Sequence, residues 1–145
     1  MLRFRIWFYT LLDELFPETK TFSTDCFFPE IFIGRVRKSL PDCAQNLLTE
    51  TVLLLAIQRV NEQLEPIKQH IKQLGYPSFS VYACRGNGTD RNSHLVLLEI
   101  YRQAVEYRIK AGLSFQHEQV WLHKSEQSIN KLYQAILAAN NNAVA

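Results

Sequence analysis

The clearest order in the chain lies between residues 53 and 74. Leu53, Ile57, Val60, Leu64, Ile67, Ile71 and Leu74 recur at alternating steps of four and three, an unbroken a/d seam over three heptads. Upstream, Pro41 and Asp42 have the character of a helix start: proline is tolerated in a first turn and an acidic residue there suits the helix dipole. The spacing predicts a long helix from there to Leu74, with Gly75 as its C-terminal cap and Tyr76-Pro77 as its stop. Pro66 lies inside the seam, where it removes one backbone hydrogen bond and crowds the carbonyl of Glu62. Because the seam keeps its phase across Pro66, the expectation is one kinked helix, or two nearly collinear ones, rather than a reversal. The seam has two readings. It is either the core of the monomer or a surface for self-association or a partner helix.

The remaining patterns are shorter. Residues 78–84 alternate and are rich in β formers, which predicts a strand. After a glycine-containing loop, Asn92 or Ser93 can cap a helix running to Ala111. Its faces are Leu97, Tyr101, Ala104, Tyr107 and Leu98, Tyr101, Val105, Ile109, although Val96, Val105 and Ile109 leave a strand open. Phe115, Val120, Trp121 and Leu122 suggest a second strand within 113–122. Ser125 then caps a last helix with Ile129, Leu132, Tyr133 and Ile136 facing inward. Residues 139–145 read as a frayed tail. At the other end, Phe4, Phe8, Leu11, Leu12 and Leu15 have helical spacing closed by Pro17, with a short strand as the alternative for the first residues. Residues 17–30 read as irregular, and 30–40 suit a strand or a short helix. A lone strand leaves its backbone groups without partners. The strand at 78–84 therefore has to pair with 113–122, with 31–37, with the N-terminus or with another chain. The fold class is helix-rich α+β: a long kinked helix and two or three further helices packed on a small β-sheet, as one domain over residues 1–145.

Composition narrows the class. A chain of 145 residues can bury roughly 68–70% of its unfolded surface. With 47% hydrophobic residues and a net charge of +2, it lacks the signature of disorder. Cys26, Cys43 and Cys84 are odd in number, widely spaced and form no CxxC pair. They read as buried, reduced thiols of a cytoplasmic protein, with Cys84 beside Arg85 and Arg91 the one candidate nucleophile or sensor. The basic and apolar N-terminus starts like a signal peptide, but Asp13-Glu14 stop the apolar run and no cleavage site follows. Nothing reaches the ~20 apolar residues of a membrane span, so no membrane association is expected.

Candidate chemistry concentrates in the loop Arg85-Gly86-Asn87-Gly88-Thr89-Asp90-Arg91. If it joins a strand to a helix, its backbone N–H groups and the two arginines suit an anion, and Arg85, Gly86, Asn87, Gly88 and Arg91 form the phosphate or nucleotide site of a small enzyme or nucleotide-binding protein, with Asp90 and His94 as further polar groups. Arg91 stands where a dinucleotide fingerprint needs its third glycine, and no Gly-Lys-Ser/Thr follows. Asn87-Gly88 is also the commonest type I′ hairpin signal, and a structural turn is the favoured reading. His117-Glu118 lacks the second histidine of HExxH. His123 would share a face with His117 only on a strand, so no metal site and no cofactor are assigned. No catalytic triad or GxSxG is present, and no catalytic residue is assigned. Arg35, Arg37 and Lys38 are a basic cluster for a weak nucleic-acid contact, with Tyr76, Tyr82, Tyr101 and Tyr107 able to stack on bases, yet +2 is a weak field. The leading expectation is a non-enzymatic interaction or regulatory protein, a homodimer or a binder of a protein partner. The interface residues are Leu53, Ile57, Val60, Leu64, Ile67, Ile71 and Leu74 of the seam, with Phe4, Trp7 and Phe8 of the aromatic N-terminus.

Overall fold

The computed structural model describes residues 20–85, 91–113 and 117–138. Among these, a two-residue ribbon pairs β1 (Thr21–Phe22) antiparallel with β2 (Ile31–Phe32), Thr21 opposite Phe32 and Phe22 opposite Ile31. Seven α-helices follow: α1 (Ile33–Ser39), α2 (Asp42–Gln45), α3 (Glu50–Gln63), α4 (Glu65–Gln73), α5 (Phe79–Arg85), α6 (Arg91–Leu113) and α7 (Glu118–Tyr133). A π-helical turn, Gln134–Ala138, closes the described chain. The fold is thus helix-rich α+β with a minimal sheet. The expectation for the N-terminal segment, including Phe4, Trp7 and Phe8, lies outside the described residues, as does the tail.

The seam forms the core. Leu53, Ile57, Val60, Leu64, Ile67 and Ile71 are all fully buried, and only Leu74, 46% exposed, escapes. Complete burial of such side chains contributes about 1.5–3 kcal/mol each, which makes this stripe the main anchor of α3 and α4. The helical pattern breaks lightly at Leu64. Its N–H donates to the Val60 and Asn61 carbonyls, and its own carbonyl accepts from Lys68 at 3.0 Å. Pro66 sits in the first turn of α4, where its missing N–H costs nothing. Gly75 takes φ +95°, and the chain ends α4 with Gly75 N–H on the Lys72 carbonyl and Tyr76 N–H on the Ile71 carbonyl. These are the two bonds of a glycine-dependent helix stop.

Aromatic packing ties the ribbon to the helices. Phe28 stacks on Tyr101 with centroids 5.4 Å apart, and Phe79 lies 6.0 Å from both rings. The Tyr101 hydroxyl donates to Asn61 Oδ1 at 2.6 Å, and Asn61 Nδ2 donates to Thr24 Oγ1 at 3.1 Å. Burial pushes the Tyr101 phenol well above its ordinary range, against the Asn61 hydrogen bond that lowers it. Asp25 anchors the turn before Phe27. It accepts from the Phe27 N–H at 2.9 Å and pairs with Lys68, and together with Lys72 these offset the burial that would raise its carboxyl and leave it lowered.

Five local expectations are corrected. Residues 79–85 are helix, not strand. Ser78 Oγ accepts from the Val81 N–H, and Phe79, Tyr82 and Ala83 are the buried positions, an i, i+3, i+4 helical pattern inside a stretch that also alternates. Residues 118–122 open α7 instead of forming a strand. Ser125 is no cap but a buried mid-helix residue whose hydroxyl donates to the Ala104 carbonyl at 2.8 Å. The helix that Pro41 starts is a single turn, and the long one begins at Thr49, whose hydroxyl accepts from the Val52 N–H. The three cysteines are exposed, not buried. Cys26 cedes the interior to Phe27 and Phe28, Cys43 lies on a turn of helix with no buried residue, and Cys84 points away from the Phe79–Tyr82–Ala83 face.

Candidate functional site

Helix α6 is the hub from which any site must be built. Leu97, Leu98, Tyr101, Ala104, Val105 and Ile109 bury it against α3, α5 and α7, and its polar residues fall on three outward faces.

The first face is a charge clasp to α1. Arg35 bonds Glu99, and its Nε lies 3.4 Å from Glu106, while Arg102 Nη1 is 3.9 Å from Glu99. Burial pushes the Glu106 carboxyl up, more strongly than the nearby Arg35, Lys110 and Arg102 pull it down, and Glu99 adds to the rise. Among the described residues, Arg102 Nε is buried without a hydrogen-bond partner. This face neutralises charge and fastens α1 to α6.

On the second face the chemistry is different. Tyr107 stacks on Trp121 of α7, centroids 6.0 Å apart and planes 21° apart. Lys110 Nζ lies 4.9 Å and Lys124 Nζ 4.6 Å from the Trp121 ring centre, and the two ammoniums lie 5.8 and 6.0 Å from that of Tyr107. All four side chains are half-buried.

The third face is a groove between α3 and α6 of about 300 Å³, lined by Val52, Leu55, Ala56, Arg59, Arg108, Ile109 and Gly112. Its floor is apolar and its rim carries two arginines. Arg59 is 3.8 Å from Glu62 and largely exposed, and Arg108 has no hydrogen bond or ion pair with the described residues. Leu55 is 56% exposed. A Cβ on Gly112 would meet nothing within 4 Å, so the groove is open at that end.

The sequence-predicted residues are distributed as follows. Arg85 is exposed in the last turn of α5 and Arg91 begins α6, so the loop joins two helices. Gly86, Asn87, Gly88, Thr89 and Asp90 lie outside the described residues. Residues 94–111 are helical, which removes the hairpin alternative. Of the basic cluster, Arg35 is held by two carboxylates, while Arg37 and Lys38 complete the last turn of α1. His117 precedes α7 and His123 lies on it, its ring 3.1 Å from the Gln127 amide. Six helical residues turn about 240°, so the two histidines do not share a face. The seam residues from Leu53 to Ile71 are covered by their own chain.

Arg59, Trp121 and Lys124 were not singled out by sequence reasoning. A signal existed: Tyr107 and Lys110, and again Trp121 and Lys124, are aromatic–lysine pairs three residues apart, which a helix places side by side. The chain matches no protein-family model, no curated protein and no solved structure. No helix among the described residues is long and apolar enough to cross a membrane.

Proposed function

We propose that this protein is a non-enzymatic interaction module whose partner lays an acidic amphipathic helix into the groove between α3 and α6. The observation that carries this reading is the doubled apolar face of α3. One stripe, Leu53, Ile57 and Val60, is consumed by the core, and beside it half-buried Val52 and exposed Leu55 line the groove over buried Ala56, next to Arg59 and Arg108. An amphipathic helix docks on such a strip through apolar side chains spaced three and four apart. The arginines select carboxylates on its flanks, and guanidinium groups are suited to bidentate pairing with them. Self-association belongs to the same reading but not to the seam. A second copy would have to meet exposed apolar side chains such as Leu55.

The test is a charge swap. A synthetic helical peptide with leucines at i, i+4 and i+7 and flanking glutamates is titrated against the full chain by fluorescence anisotropy. Leu55→Glu is expected to weaken binding at least ten-fold, equivalent to about 1.4 kcal/mol. The double variant Arg59→Glu, Arg108→Glu should reject this peptide and accept its lysine counterpart. Indifference of binding to both variants would remove the groove from the function. Light scattering decides the homodimer: a strict monomer ends it, and a dimer that Leu55→Glu dissociates puts a second copy in the groove in place of the acidic helix.

A further inference from the structure

The aromatic and lysine cluster on α6 and α7 belongs neither to the core nor to the groove. Its two ammonium groups share one pair of rings, and no carboxylate among the described residues is within ion-pair distance of either. Glu106 feels the charge of Lys110 but is held by Arg35 on the adjoining face. Two like charges thus rest on a π-surface, and among the described residues the ring quadrupoles are their direct partners.

We propose that this cluster binds single-stranded nucleic acid, with Trp121 and Tyr107 as the stacking faces and Lys110 and Lys124 as the phosphate contacts. A phosphodiester offers each ammonium a full negative charge in place of a ring. Lysine carries its donors on a flexible four-carbon stem, so each can swing from the ring to a phosphate. The indole face so vacated is then open to a base, and every base has a π-face, so recognition is tolerant of sequence. A duplex keeps its bases stacked inside and cannot make the exchange. A phosphorylated peptide supplies the anion but nothing that uses the aromatic pair. With a chain charge of only +2, no long-range field adds to the contact. Affinity should therefore be modest, and two phosphate contacts set a shallow salt slope of about −1.4 in log K against log salt.

The sequence holds two tryptophans, Trp7 and Trp121. Titration of full-length Trp7→Phe with oligothymidylate at roughly 50 mM salt should quench Trp121 fluorescence. Anisotropy of a labelled oligothymidylate with the unaltered chain gives a second readout. Trp121→Leu should weaken binding roughly ten-fold, and Trp121→Phe should retain most of it. Lys110→Gln and Lys124→Gln should each reduce the salt slope by about 0.7. Unchanged melting cooperativity shows that a variant is folded, and if Trp121→Leu is not, the two lysine slopes carry the test. The proposal is overturned by the absence of both quenching and anisotropy change, or by equal affinity for duplex DNA. It is also overturned by binding of inorganic polyphosphate or a phosphopeptide in preference to the oligonucleotide with no dependence on Trp121, since either marks a bare anion site. The outcome is independent of the groove, because none of these four residues lines it.

Discussion

Two helix pairs carry large side chains at helical spacing, and they end in opposite environments. Along α3 and α4 the repeating residues are aliphatic, and six of them are fully buried. Where α6 meets α7 beyond its inner face, the repeating residues are Tyr107 and Trp121, each followed by a lysine, and they stay half-exposed. Spacing alone does not separate the two. What separates them is a lysine three residues on, which no seam residue has: an ammonium cannot follow its helix face into the core without losing hydration, so it holds the adjacent ring at the surface and uses it as a partner. The seam became core, and the aromatic pair became a platform.

The sharpest way to break this contrast is to truncate both sides of it. Leu64→Ala, at the junction of α3 and α4, should cost about 2–5 kcal/mol, because the site is fully buried and cannot collapse from every direction. Urea unfolding measures it, and a cost below that range would mean that the seam is loosely packed. Within α6 itself, Tyr101→Phe should cost about 1–2 kcal/mol, since it leaves buried Asn61 without the hydroxyl that it accepts from. Tyr107→Phe, six residues later on the outer face, should stay within about 0.5 kcal/mol. Equal effects at the two tyrosines would erase the distinction between core and platform.

The seam and the Gly75 stop were legible because they are periodic or conformationally unique. Three heptads allow one phase only, and a left-handed turn after Leu74 has glycine as its natural occupant. Residues 79–85 were not legible. In a seven-residue window, Phe79, Val81 and Ala83 satisfy a strand as well as Phe79, Tyr82 and Ala83 satisfy a helix, and the Ser78 cap decides. The start of α7 hid behind Val120, Trp121 and Leu122, residues with β propensity that the packing of α7 on α6 overrides. Arg35 looked free to meet a phosphate because its partners, Glu99 and Glu106, are more than 60 residues away in the chain. The groove was invisible for a similar reason: Arg59 and Arg108 become neighbours only when α3 lies against α6. Cation–ring pairs at three-residue spacing, by contrast, were within reach of the sequence, and they mark the face on which the nucleic-acid inference rests.

The smallest expected effect probes the clasp beside that platform. The Glu106 carboxyl is raised because burial outweighs Arg35, so the folded chain holds its proton more tightly than the unfolded chain does. Stability from this group is therefore fully present below the ordinary carboxyl range, and it falls as pH rises through the elevated value. Asp25 has the opposite sign. Its lowered carboxyl stabilises the fold above the ordinary range, and that contribution is lost as pH falls through the lowered value. Glu106→Gln removes the first dependence and leaves the second. At neutral pH the variant should match the parent or exceed it by about half a kcal/mol, because it no longer desolvates a charge and Arg35 still has Glu99. Its advantage should vanish as pH falls below the ordinary carboxyl range, where Glu106 is protonated in both states. Thermal melts of both proteins between about pH 3 and pH 8 give the comparison. A variant that is less stable at neutral pH would show that the Arg35 pair outweighs burial, which would make the clasp, rather than the aromatic platform, the firmer polar feature of α6.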